Sequence, residues 1–357
     1  MSNPETQSTM SASARPEHKE RRIGRAWGIA IRLAGFAAGL AMLGWSLSLA
    51  LRPENRAQLE NLTSATPGQI AGLLLLSAAS VGINGLVFWI TIRPVQRLRA
   101  GDTLAINATA SMLSYLPLKI GALTRIAIHN RRDRVPLLTI GAWFAAMAIV
   151  MGAVMAPLVG AGLWRRDVDV AWVGSAGLGL VAILAVVFVL ARALGGRGGA
   201  ERIGALIRPI DRLTGRNVSG SRQVRELHAG LAILSSPRVL GSTAALRLGD
   251  LAIQAGRFSI AARVLGVHLS FSKAMLAAPI HFALSVLSPV GVLGPREAAI
   301  TILGEAPGVL DASGQGSLAA VVLLVGAAEV VVFLICGTAG LLWLGPHRLF
   351  RPRTDRA

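Results

Sequence analysis

The chain has 357 residues, 53% hydrophobic and 15% charged, with a net charge of +18. A soluble domain carries about 25% charged residues; here the charges cluster between apolar runs long enough to cross roughly 30 Å of hydrocarbon. That excludes a water-soluble globular protein, and it moves the positive charge from nucleic-acid binding, for which no motif is present, to the basic cytoplasmic loops of a membrane protein.

Arg21, Arg22 and Arg25 belong to a disordered cytoplasmic N-terminus, residues 1–26. The apolar run over about 27–51 predicts an uncleaved first transmembrane helix. It exceeds the roughly 7–15 residues of a signal-peptide core. A second helix over about 68–92 ends in a basic loop with Arg93, Arg97 and Arg99.

Segment 103–129 has a different pattern. Residues 104–118 are apolar but too short to cross, and the run breaks at Pro117 and Gly121. Lys119 and Arg125 follow, then Arg131, Arg132 and Arg134. Basic residues on both flanks predict a re-entrant hairpin entered from the cytoplasm. Irregular backbone survives at membrane depth only where it is buried in protein or lines a cavity.

A third helix over about 137–163 and a fourth over about 170–192 flank a charge-balanced outer loop. Residues 193–237 form an arginine-rich cytoplasmic loop with amphipathic pieces at the membrane surface. The fifth helix covers about 238–265. A second broken segment, 271–304, is interrupted at Pro289, Gly291 and Gly294. The acidic loop 305–316 belongs outside, the last helix covers about 317–344, and the basic tail 346–357 belongs inside.

Together these elements predict an all-α polytopic membrane protein with about six full transmembrane helices, two re-entrant hairpins and both termini in the cytoplasm. Each half reads crossing, crossing, hairpin, crossing, and the second half starts from the opposite side. That is the pattern of the inverted repeat of secondary transporters, whose site lies at the repeat interface. Ordinary proline kinks are the competing reading.

Cys336 is the only cysteine, and the six histidines show no metal-ligand spacing. No phosphate-binding Gly-Lys-Ser/Thr loop is present. Neither a metal nor a cofactor is expected.

The fifth helix carries Arg247, Asp250, Gln254 and Arg257 at spacings that place all four on one face. Each charge costs at least ~2.5 kcal/mol at the bilayer centre, so the stripe faces the bundle interior or an aqueous cavity. One reading is an internal ladder in which Asp250 ties Arg247 to Arg257. The other is an anion site. Near membrane depth Lys119, Arg125, Arg247, Arg257 and Arg296 outnumber Asp250, Glu297 and Glu329. An anionic ligand would supply the missing partner, and the planar guanidinium suits phosphate. Glu329 reads either as an arginine partner or as a proton-coupling carboxylate. His281 reads as a backbone hydrogen-bonding group or as a titrating one.

Tyr115-Leu116-Pro117-Leu118-Lys119-Ile120-Gly121, leading to Arg125, and Pro289-Val290-Gly291-Val292-Leu293-Gly294-Pro295-Arg296-Glu297-Ala298-Ala299 carry a resemblance. The chain resembles, from about Trp27 to Trp343, the flippase-like transmembrane region of bacterial lysylphosphatidylglycerol synthases and their stand-alone relatives. The first stretch departs from the family, which often has glycines at Leu118 and Lys119 and an acidic residue at Ala122. The resemblance implies a flippase-like domain over 27–345 in the bacterial cytoplasmic membrane that moves an anionic or phosphate-bearing lipid between leaflets. It also implies a lipid-synthesis enzyme as a partner. The aminoacyltransferase domain is not in the sequence, so no enzymatic activity is expected. Two rival readings are an intramembrane lipid-modifying transferase built on Asp250, His281 and Glu297, and a membrane scaffold that uses its basic loop.

Overall fold

The computed structural model describes residues 60–116, 120–165, 167–196, 198–214, 232–267, 269–287, 298–300 and 315–345, with a few isolated positions elsewhere. Among them the chain is helical throughout: α1 (Pro67–Ile92), α2 (Ala100–Leu113), α3 (Ile120–Arg131), α4 (Leu137–Arg165), α5 (Val170–Gly195), α6 (Gly199–Thr214), α7 (Pro237–Val264), α8 (Phe271–Leu287) and α9 (Gln315–Leu344). Short 3-10 turns precede α1 and α7.

Local sequence explains where the long helices start. Thr66 and Gln69 form a reciprocal capping box around the α1 terminus, with Pro67 in the first turn. At α7 the Ser236 side chain accepts the backbone N–H of Val239, with Pro237 in the first turn. Asp169 caps α5 by accepting the backbone N–H of Trp172 at 2.7 Å. Arg165 donates to the same carboxylate, and these two contacts hold it below its usual carboxylate range.

Four helices are long and apolar enough to cross a membrane: α1, α4, α5 and, over Leu318–Leu344, α9. The protein is therefore a multi-pass membrane protein. The apolar surface of α5 supports this. Leu178, Val181, Val186 and Val189 are all exposed on it, an arrangement that hydrocarbon tolerates and water does not. Trp164 and Trp343 lie exposed at the ends of α4 and α9, as an interfacial aromatic belt requires.

The helix α7 has the length to cross, but its charges set it apart from these four. It packs against α1, α8 and α9, which turns its polar stripe into the bundle. The pairs Gly72–Ile260, Gly256–Leu76 and Asn84–Arg247 show that α1 and α7 run in opposite directions. On its other sides α1 meets α2 and α9.

The segment predicted as a broken hairpin forms two short helices, α2 and α3, lying side by side. Contacts pair Gly121 with Ser114, Arg125 with Asn107 and Arg132 with Asp102, so the two helices are antiparallel. At ~1.5 Å per residue they are about 21 and 18 Å long, each short of the ~30 Å core. A Cβ at Gly121 would overlap the carbonyl oxygen of Ala110, so only glycine permits this approach. Gly337 and Gly340 act in the same way on α9. A Cβ at Gly340 would lie 2.6 Å from the Ala105 carbonyl oxygen, and Thr109 donates to the Gly337 carbonyl at 3.3 Å.

The predicted basic loop contains α6, a helix with apolar and charged faces. Most of the first predicted crossing, the N-terminus, the tail, the break residue Pro117 and the second break with Pro289, Gly291 and Gly294 lie outside the described residues.

Candidate functional site

The polar face of α7 meets polar residues on α1, α2, α3 and α9. At one end, Arg257 is fully buried. Its Nη1 lies 3.3 Å from the Glu329 carboxylate on α9 and donates to the Gln254 side-chain oxygen at 2.9 Å. Its Nη2 donates to the Val325 carbonyl at 3.2 Å. Gln254 then donates to the Ser80 hydroxyl at 3.2 Å, and Ser80 donates to Asp250 at 2.6 Å. The carboxylate of Asp250 lies 3.5 Å from Arg247, one helical turn before it.

Beyond Arg247 the network leaves α7. Arg247 Nη2 donates to Asn84 Oδ1 on α1 at 2.9 Å, and Asn84 Nδ2 donates to Asn107 Oδ1 on α2 at 3.0 Å. Arg125 on α3 donates to that same oxygen at 2.7 Å. Asn107 Nδ2 donates to the Val81 carbonyl at 2.9 Å. The amide orientations are dictated from both ends. A guanidinium only donates, so Asn84 must turn its oxygen to Arg247 and its nitrogen to Asn107.

The result is one continuous polar chain, Arg125–Asn107–Asn84–Arg247–Asp250–Ser80–Gln254–Arg257–Glu329, running through helices that are otherwise apolar. Three guanidinium groups meet two carboxylates in it. Two buried donors remain unmet: Arg125 Nε and Arg257 Nε have no hydrogen-bond acceptor among the described residues, while Arg247 Nη1 has only the Asp250 carboxylate at 3.5 Å. Each such group in a low-dielectric interior is costly. Aromatic faces cover part of the positive charge. The Arg125 guanidinium stacks 3.8 Å over Phe88, and that of Arg247 lies 5.4 Å from Phe282.

One sequence expectation is corrected in part. Asp250 does not tie Arg247 to Arg257 directly; it contacts Arg247 and reaches Arg257 only through Ser80 and Gln254. The reason is axial distance. Residues three apart on a helix are neighbours, whereas Arg257 stands seven residues beyond Asp250, about 10 Å along the axis. Glu329, on a facing helix, takes the direct contact.

The structure brings together Arg125, Arg247, Asp250, Gln254, Arg257 and Glu329. His281 is buried in α8 with its ring edge-on to Phe258, the centroids 5.3 Å apart. Lys119, Arg296 and Glu297 lie outside the described residues. Of the set proposed for a transferase, Asp250 is engaged by Ser80 and Arg247.

Sequence reasoning missed Ser80, Asn84 and Asn107. A signal existed: Ser80 and Asn84 stand four apart on one face of an apolar helix, and polar side chains inside such helices join helix to helix. It also missed a second buried polar group. His129 Nδ1 lies 2.7 Å from Asp133 Oδ2, and Trp143 Nε1 donates to the Thr91 hydroxyl at 2.7 Å. The His129 and Trp143 rings meet edge to face at 5.1 Å, which locks the end of α3 onto α4.

A family model described as the lysylphosphatidylglycerol synthase TM region matches residues 26–314, most of the chain. Neither the curated proteins nor the solved structures contain a match.

Proposed function

The chain belongs to the lysylphosphatidylglycerol synthase transmembrane family, and we propose that it moves an anionic or phosphate-bearing lipid between the leaflets of the bacterial cytoplasmic membrane, without chemical change to the lipid. The observation that carries this reading is the buried network in which three arginines meet two carboxylates and Arg125 Nε and Arg257 Nε lack an acceptor among the described residues. Guanidinium forks aimed into a water-poor interior are the chemistry that receives a phosphate.

In this reading the headgroup enters the polar network at Arg247, Asp250 orients Arg247, and the acyl chains stay in lipid alongside the bundle. The short antiparallel α2–α3 pair acts as a re-entrant hairpin, and the second broken segment is its counterpart in an inverted repeat. Rocking of the two halves exposes the network to each leaflet in turn. Both termini face the cytoplasm, as the arginine-rich flanks of the helices favour. A lipid-synthesis enzyme would supply or take up the lipid.

The test is reconstitution. In liposomes the protein accelerates leaflet exchange of a labelled anionic phospholipid, and Arg247→Ala abolishes the acceleration. Absence of acceleration for every lipid class tested would overturn the reading. A mass change in lipids incubated with the protein would favour a transferase instead.

A further inference from the structure

The two ends of the network differ in kind. At the Arg257 end, Glu329 balances the guanidinium within 3.3 Å. At the other end Arg125 is joined to Arg247 through two neutral carboxamides, and the carboxylate there, Asp250, lies 3.5 Å from Arg247 on its far side. Asn107 Oδ1 accepts from both Arg125 and Asn84, and Asn84 Oδ1 accepts from Arg247. No carboxylate among the described residues contacts Arg125.

From this asymmetry we infer that Arg125 and Arg247 form the seat for a phosphate group, and that the Asn84–Asn107 amide bridge holds the place of the phosphate until the ligand arrives. The inference rests on the transport reading for the source of that phosphate, a lipid headgroup, but not for the seat itself.

The physical case has three parts. First, a buried guanidinium without a charged partner is expensive, and Arg125 has only the Asn107 amide, whereas Arg247 has Asp250 at 3.5 Å. The amide oxygens satisfy some donors but carry no compensating charge, so a phosphate displacing them gains charge-assisted bonds to both guanidiniums. Second, a donor stands ready. Arg125 Nε is buried with no hydrogen-bond acceptor among the described residues, and Arg247 Nη1 is held only by the long 3.5 Å contact to Asp250. Phe88, stacked under Arg125, holds its fork flat. Third, the two arginines are not equally covered. Arg247 is buried at 4% exposure, whereas Arg125, on the hairpin, keeps part of its surface open. A headgroup therefore meets Arg125 first and Arg247 second. Asn84 and Asn107 become specificity-determining residues. Their amides can swing to donate to a bound phosphate, which a carboxylate in the same place cannot do.

The closing experiment separates binding from transport. Dihexanoyl phosphatidate and inorganic phosphate are titrated into the purified full-length chain in detergent by calorimetry. The expected result is that both bind at one site, the lipid more tightly, and that Arg125→Gln weakens both by about tenfold or more. That variant strands no acidic partner among the described residues, so it keeps the fold, which its thermal midpoint verifies. Asn107→Asp, which places a permanent anion between the guanidiniums, is expected to block both probes. A purely structural asparagine would let this near-isosteric change bind as the native chain does. Native-like binding by Arg125→Gln and Asn107→Asp, or no binding by the native chain, overturns the seat. Binding of inorganic phosphate alone overturns its assignment to a lipid headgroup. Leaflet exchange is measured in parallel. Exchange that survives intact in Arg125→Gln overturns the assignment of the seat to the transported headgroup and leaves transport standing, whereas native binding without exchange refutes transport and leaves the seat.

Discussion

Arg257 on α7 and Glu329 on α9 form an ion pair at 3.3 Å, with the guanidinium entirely removed from solvent. It is the direct ionic contact between these two helices among the described residues. Its energetics are asymmetric, because removing one partner leaves the other charge buried.

That asymmetry gives the first prediction. Glu329→Ala destabilises the protein by about 3–5 kcal/mol, and the double change Arg257→Met with Glu329→Leu costs much less or nothing. Thermal or denaturant unfolding in detergent, arranged as a double-mutant cycle, measures the difference. A fully additive cycle would show that the pair is not coupled.

Ser80 joins Asp250 to Gln254 and has no other evident role. Ser80→Ala removes a hydrogen bond to a buried carboxylate and is expected to cost about 1.5–3 kcal/mol. The same unfolding assay reads this effect, with Ser242→Ala, a half-buried serine whose hydroxyl bonds only to carbonyls of its own helix, as the near-neutral comparison.

Glycine at 121 is a packing requirement and not a flexibility device. Gly121→Ala places a methyl group against the Ala110 carbonyl and pushes α3 off α2, at about 1–3 kcal/mol. Gly141→Ala on α4, where nothing stands within 4 Å of the new carbon, leaves stability unchanged or slightly higher. Equal effects at the two sites would contradict the close approach of α2 and α3.

The loop between α4 and α5 supplies a pH test. Asp169 is held below its ordinary carboxylate range by Arg165 and by the Trp172 amide. A depressed folded-state value means the stabilisation is present above the unfolded value, about 3.9. It fades as pH falls through the folded value. Asp169→Asn keeps the helix cap but loses the charge. The variant should unfold more easily than the native protein at pH 6, and the two should converge in strong acid. A gap that stays constant across the series would show that the charge contributes nothing.

Topology is open to chemical labelling in a Cys336→Ser background. With the cytoplasmic placement of the basic loops, a cysteine replacing Asp167 reacts with a membrane-impermeant maleimide added outside intact cells. A cysteine replacing Arg208 on α6 reacts only after permeabilisation. The opposite pattern would invert the proposed orientation.

Much of the helix inventory was legible from the sequence. The apolar runs over 68–92, 137–163, 170–192 and 317–344 coincide closely with α1, α4, α5 and α9, because the thickness of hydrocarbon imposes length and composition on any crossing helix. The spacing of Arg247, Asp250, Gln254 and Arg257 placed them on one face, since helical periodicity is a local property. The break near Pro117 and Gly121 correctly separated α2 from α3, because a proline disfavours helix in the residue before it.

What faces that polar stripe was not legible. Ser80, Asn84, Asn107 and Glu329 lie on three other helices, and their sequence distances from Arg247 and Arg257 carry no information about contact. Which acid pairs with which arginine followed from helix registration, and registration is set by where glycines let backbones approach: Gly121 against Ala110, and Gly340 against Ala105. The sequence by itself determined that this is a membrane protein with arginines that the positive-inside rule leaves unexplained. Only the tertiary structure decided how those arginines are partnered: Arg257 with a carboxylate, Arg125 with an amide alone, and Arg247 between an aspartate and an amide. Charge compensation inside a bundle acts through space between helices, and no periodicity along one chain encodes it.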